Sequence, residues 1–252
     1  MPPAYVGAGA GTVITTGTGT VSKTSCVAGN LILIHFMVAG VSEDYSAPAS
    51  VNLSDFTGAA GYHAVRTGSG IGSPETRKAG LLAARATANG TCSFDFTVGA
   101  SGEDIFARMY EVSDENTGTT VAEVLEEGAS TSDAAAGTGT TVATTNDFTT
   151  NGSDRLGLQL VSAAVNTTIT EFSGEGGGID FTEALAEYSE AGGVTGTLSL
   201  QIANITNAVS NLNTGTATLG ASTGWNVIYL AVIPSTAPST ATLRTVSSGL
   251  RW

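Results

Sequence analysis

The sequence predicts an all-β protein: an antiparallel β-sandwich, jelly-roll-like, with an extended arm at each end. Three observations predict it. The composition is that of strands and turns, with 33 glycines, 38 threonines and only 12% charged residues. Thr and Val favour strands, while Gly, Asn and Asp punctuate turns. The longest apolar run, Leu31 to Val38 within GNLILIHFMVAG, follows Gly29-Asn30 and is stopped by Gly40. It is far too short for a bilayer, which needs about 20 apolar residues, and its punctuation marks a strand buried on both faces. Elsewhere the pattern alternates with period two, as in Cys92, Phe94, Phe96 and Val98 or in Leu198, Leu200 and Ile202, so those strands have one buried and one wet face.

Taken in order, residues 1–12 are rich in Pro, Ala and Gly and read as an N-terminal arm. Thr12–Thr16 and Thr18–Thr24 are short strands, and the central apolar strand follows. Ser42–Ala49 is a loop with Glu43, Asp44 and Pro48. Val51–Phe56 and Tyr62–Arg66 are strands, and 67–76, TGSGIGSPET, is a surface loop. Ala79–Thr87 and Thr91–Val98 read as a hairpin around Asn89-Gly90, a pair that favours positive φ. Asp104–Ser113 is a strand. Residues 114–140 are acidic and small and form a crossover, with Val121–Leu125 a strand inside it. The second half reads as strands Val142–Phe148, Asp154–Ala163, Thr167–Phe172, Phe181–Tyr188, Gly196–Ala203, Gly215–Ala221 and Trp225–Ile233, with a helical turn the alternative at Glu183–Glu190.

A weak internal repeat organises these elements. LSDFTG at 53–58 is echoed by ITEFSG at 169–174, GNLILIHF by SDRLGLQL, and DIFARMYEVS by GWNVIYLAVIP, in the same order. The expected sandwich domain therefore spans 13–234, with pseudo-repeat halves of about 13–113 and 140–234. Residues 235–252, PSTAPSTATLRTVSSGLRW, form a C-terminal arm too poor in apolar residues to fold alone. Arg244, Arg251 and Trp252 within it suit an interface, with a frayed tail as the alternative.

The charge balance excludes several function classes. With nine basic against 22 acidic residues the chain carries −13, and no basic patch for nucleic acid or for an anionic membrane is present. The N-terminus lacks a basic stretch followed by an apolar one, so cytoplasmic synthesis is expected. Cys26 and Cys92 are too few for a disulfide framework. They read as buried thiols, with a bridge open if their strands are neighbours.

Catalytic patterns are scarce. His35 and His63 are the two histidines, and neither has metal-ligand spacing. His35 sits inside the apolar run and reads as a core or interface residue. No GxSxG or CxxC occurs, and the glycine-rich pieces GAGAGT and GEGGG lack a P-loop ending. The acids Glu43, Asp44, Glu103, Asp104, Asp114, Glu115, Glu126, Glu127, Glu175 and Asp180 fall mostly as adjacent loop pairs. That is the pattern of solvated turns rather than of a facing glycosidase pair. A structural Ca²⁺ on loop oxygens is the remaining metal option, without a DxDxDG loop to support it.

The residues Gly29-Asn30-Leu31, Phe94-Asp95-Phe96-Thr97, Tyr110-Glu111-Val112, Asp154-Arg155-Leu156 and Trp225 to Pro234 form an order of strands that resembles β-sandwich virion structural proteins of tailed bacteriophages and related bacterial surface modules. The likeness covers roughly 12–234. It departs from the usual pattern where Ala47-Pro48-Ala49-Ser50 stands in place of a Pro-x-Gly-Trp turn, so no binding surface is carried over. The resemblance implies a non-enzymatic capsid decoration or cement protein, made in the host cytoplasm and found in the virion. Its expected partners are the major capsid protein, other virion subunits and further copies of itself. No cofactor, metal, nucleic acid or membrane is expected. The candidate partner-binding residues are Pro2, Pro3 and Tyr5 in the first arm and Leu243, Arg244, Leu250, Arg251 and Trp252 in the second. The alternative is a carbohydrate-binding adhesion module of a tail or baseplate, using Tyr45 or Tyr62.

Overall fold

The central apolar strand of the sequence becomes a central strand of the fold. The structure, a computed structural model, describes residues 2–39, 56–60, 64–71, 77–97, 104–113, 118–126, 134–143, 149–175, 179–190, 195–208 and 215–234. In chain order the strands are β1 (Ala4–Ala8), β2 (Thr12–Ile14), β3 (Thr18–Cys26), β4 (Leu31–Ala39), β5 (Phe56–Thr57), β6 (Ala59–Ala60), β7 (Ala64–Ile71), β8 (Arg77–Ala86), β9 (Gly90–Thr97) and β10 (Asp104–Ser113). A single helical turn, α1 (Val121–Val124), leads into β11 (Leu125–Glu126). The rest are β12 (Ala134–Ala143), β13 (Arg155–Ala163), β14 (Thr182–Glu190), β15 (Gly196–Ile205) and β16 (Thr216–Val232). The protein is all-β, as the sequence predicts.

The strands form three antiparallel sheets. The first central sheet runs β1-β10-β4-β8-β6, with β2 also on β10 and β7 on β8; the second runs β11-β16-β13-β15-β14, with β12 also on β16; a small outer sheet runs β3-β9-β5. β4 lies between β10 and β8, and β13 lies between β16 and β15. β8 then pairs β7, as β15 pairs β14.

Alternation along β4 explains why it is buried on both faces. Ile32, Ile34, Phe36 and Val38 pack under the outer sheet with Val21, Phe94 and Phe96. Leu31 and Leu33 point the other way, into a core shared with the second central sheet. β13 mirrors this: Leu156, Leu158 and Leu160 enter the shared core, and Val161 and Ala163 join a third core with Phe172, Phe181 and Trp225. Each such Leu or Ile contributes about 1.5–3 kcal/mol by burial. The fold is thus layered, with sheet faces meeting in the middle and an apolar core on each outer side.

Several elements differ from expectation. β8 and β9 are not a hairpin: β8 pairs β4 in the first central sheet and β9 pairs β3 in the outer sheet. The chain arches at Asn89-Gly90, where Gly90 has φ 138, and the two strands meet through side chains such as Ala84, Ala86, Cys92 and Phe94. Residues 67–71 of the predicted surface loop belong to strand β7. Residues 121–124, expected as strand, turn helically, because the Glu123 carboxylate accepts the Thr119 and Thr120 amides (2.7 and 3.0 Å) in a Thr-x-x-Glu capping arrangement. Strand β12 starts earlier than the predicted Val142, at Ala134. Within 167–172 the pairing reduces to isolated bridges, Ile169 with Leu219 and, just beyond, Ser173 with Thr216. The two predicted final strands are one 17-residue strand, with a register shift opposite Gly139–Thr141. The loop expected at 42–49, the strand at 51–55, and Tyr45 and Tyr62 lie outside the described residues.

The N-terminal arm also differs. Ala4–Ala8 is a strand of the first central sheet, paired from Ala4 opposite Ser113 to Ala8 opposite Tyr110 with a register shift between Tyr5 and Gly7. Backbone pairing and the packing of Tyr5 on the shared core tie it down.

Candidate functional site: buried polar groups and the end of the fold

Three polar clusters lie in or against the apolar layers. The first joins β10 to β3. Glu111 follows Ile105, Ala107 and Met109 in phase, so it faces the outer sheet, and it is 0% exposed. Lys23 follows Val21 in phase and is 7% exposed. Lys23 Nζ donates to Glu111 Oε2 at 2.5 Å, and Glu111 Oε1 accepts from the Val27 amide (2.8 Å) and Asn30 Nδ2 (2.7 Å). Burial pushes this carboxyl up, but the bonds from Lys23, Val27 and Asn30 together outweigh it and leave the group below its ordinary value. The carboxylate's acceptor capacity is used within the fold, so its chemistry is that of a tie between strands. Cys26 and Cys92 lie beside it. Burial and the neighbouring Cys26 thiol push Cys92 up to about 12.

The second cluster joins the two central sheets. His35 Nε2 and Ser162 Oγ are 2.8 Å apart, bringing β4 against β13. A serine beside a histidine is the geometry of an activated nucleophile. Here both are 0% exposed, so no substrate reaches them. Burial lowers the His35 pKa to about 3, and the imidazole is neutral. Its Nδ1, and both side-chain polar atoms of Asn226, have no hydrogen-bond partner among the described residues. Asn226 stands opposite Ser162 in register.

The third cluster sits at the end of the fold. Arg155 grips Glu126 with two bonds, Nε to Oε2 at 3.1 Å and Nη2 to Oε1 at 3.0 Å, and the Asn151 amide adds a third donor. The planar fork makes this a strong pair. A cavity of about 340 Å³ opens here, lined by Val121, Ala122, Leu125, Glu126 and Asn151. The Ile233 amide donates to the Val124 carbonyl at 2.9 Å, so the chain passes α1 just before residue 235.

The predicted partner-binding residues are not brought together among the described residues. Pro2 is exposed, Pro3 is buried and Tyr5 is half-buried. Leu243, Arg244, Leu250, Arg251 and Trp252 lie outside the described residues. Neither Glu111, quoted above only within a strand pattern, nor Lys23 is among the site residues that the sequence predicts. Their signal was a lone charge in the inward phase of an apolar strand, at Ile105-Ala107-Met109-Glu111 and at Val21-Lys23. Among the described residues no group of three or more His, Cys, Asp or Glu side chains is placed to hold a metal ion, and no helix is long and apolar enough to cross a membrane. No protein-family model matches the chain, and comparison with curated proteins and with solved structures finds no match.

Proposed function

We propose that this chain is a non-enzymatic structural subunit of a tailed-phage particle, a decoration or cement protein that stabilises the head shell. The observation that carries the reading is the division of charge along the chain. Residues 1–234 hold seven basic and all 22 acidic residues, whereas 235–252 hold Arg244, Arg251 and no acid. The formal charges are therefore −15 and +2, which together make the −13 of the whole. A cationic segment ending in Trp252 suits docking on an acidic neighbour, and the body of another copy is one such neighbour. Arg and Trp are favoured at interface centres, and many copies with small interfaces add up to a large stabilisation.

The fold supports this reading in two ways. Its described buried acids, Glu111 and Glu126, are engaged in ties between elements, which suits a scaffold. The equal strand orders around β4 and β13 support a repeated half. The adhesion alternative needs an aromatic stacking face. Trp225 does not supply one, because it is 6% exposed within the third core.

The test is co-purification. In density gradients of virions from cells that make the chain, the full-length protein is expected to travel with the particles, and a version ending at residue 234 to stay behind. Full-length protein absent from the particles overturns the reading.

A further inference from the structure

We propose that Cys26 and Cys92 are a built-in site for an intramolecular disulfide, closed by thiol–disulfide exchange with a small-molecule disulfide such as oxidised glutathione. Both cysteines are free and buried, and they belong to neighbouring antiparallel strands. The register pairs Lys23 with Cys92 and, beyond a shift, Cys26 with Gly90. The cysteines are thus diagonal neighbours on the same inward face, a relation that normally leaves about 7–8 Å between Cα atoms. Ser25 takes a left-handed conformation (φ 58) within the register shift between Lys23 and Cys26, and the two cysteines belong to one buried apolar cluster. Their other contacts are weak: Cys26 Sγ donates to the Lys23 carbonyl and Cys92 Sγ to the Gly58 carbonyl, both at 3.3 Å.

The location gives the bond a purpose. β3 is a nine-residue edge strand of a three-stranded sheet, and edge strands are the parts of a sheet that open first or pair wrongly. A bond from its last residue to β9 fixes that edge. The entry point is Cys26, itself 2% exposed and reached when the end of β3 beside Val27, 50% exposed, opens. Its thiolate attacks the sulfur–sulfur bond of oxidised glutathione, releasing one glutathione thiolate and leaving a mixed disulfide. The Cys92 sulfur, after losing its proton to solvent, attacks Cys26 sulfur and expels the second glutathione thiolate. Two protein thiols are oxidised to one disulfide, and one glutathione disulfide is reduced to two thiols. The Lys23 ammonium favours the transient Cys92 thiolate and Glu111 opposes it. With Cys92 held at about 12, closure is slow and the reduced form persists in a reducing compartment.

The experiment uses the full chain, incubated with oxidised glutathione or with dithiothreitol. The thiols are then counted after denaturation and the intact mass is measured. The expected result is loss of both thiols, a mass lower by two hydrogens, and a peptide map linking Cys26 to Cys92. The thermal midpoint of the oxidised form should rise by about 10 °C and return with dithiothreitol. Cys92→Ser should stop at a glutathione adduct on Cys26. Persistence of two free thiols, stable glutathione adducts on the wild type, or a disulfide-linked dimer each overturns the proposal. The wild-type arms decide it even where the serine variant folds poorly.

Discussion

His35 stands uncharged between two sheets, and this makes acid a destabiliser of the fold. Its imidazole titrates near 6.5 when exposed and at about 3 when buried. Between those values the unfolded chain binds one more proton than the folded one. Stability is therefore full above pH 6.5 and falls as pH drops, by about 1.4 kcal/mol per unit from this residue. Urea unfolding at pH 7, 6 and 5 should show that slope, and His35→Leu should flatten it. Glu111 acts in the same direction at lower pH. Its folded value lies below the ordinary 4.5, so the stability it contributes is present above that value and is lost as pH falls through the folded one. The Lys23–Glu111 pair also makes a mutational prediction. Lys23→Met or Glu111→Gln alone leaves a buried partner without its counter-charge or a full set of bonds and should cost about 3–5 kcal/mol, while the double variant should cost less than the sum. Equilibrium denaturation of the four proteins in a double-mutant cycle measures this. A zero coupling energy would show that the two groups act independently.

At the scale of elements, what the sequence revealed and what it concealed have separate causes. β4 and β13 were legible because an apolar run bracketed by Gly, Asn or Asp has few other fates, and β10 was found with its bounds, Asp104–Ser113. The arch between β8 and β9 was not legible. Asn89-Gly90 reports that the chain reverses, but not whether the next strand pairs with the last or crosses to another sheet. That choice belongs to Phe94 and Phe96, whose packing partners include Phe36 and Phe56. The turn at α1 was missed: Thr120 and Glu123 carry its capping pattern, but Val121 and Val124 read as strand. Lys23 and Glu111 were hidden because they are 88 residues apart. The join beneath the arch can be tested through two glycines of positive φ. A Cβ on Gly58 (φ +72) would sit 2.4 Å from the Thr91 carbonyl oxygen, whereas one on Gly29 (φ +90) meets nothing within 4 Å. Gly29→Ala should cost about 1 kcal/mol, from conformation alone. Gly58→Ala should cost about 2–4 kcal/mol, because backbone must move as well. Thermal unfolding compares the two, and equal losses would remove the steric contribution.

For the whole molecule, the layered apolar cores and the charge division assign different work to different parts of the chain. Among the described residues the three cores draw on side chains from Ile14 to Val232. Removing 235–252 should leave the thermal midpoint unchanged within about 2 °C, since every one of those side chains is kept. The same deletion takes away both Arg244 and Arg251 and exposes the solution behaviour of a body carrying −15 against the −13 of the full chain. If the segment docks on acidic surfaces, association of the full chain with particles should weaken as salt rises from about 0.05 to 0.5 M, because the screening length shrinks from roughly 14 to 4 Å over that range. Arg244→Glu together with Arg251→Glu should abolish association at every salt concentration while leaving the fold intact. Sedimentation of particles with wild type, the truncated chain and the double variant separates the possibilities. Salt-insensitive binding lost only on replacing Trp252 would assign the contact to apolar burial, and binding unchanged by all three would move it away from the C-terminal segment altogether.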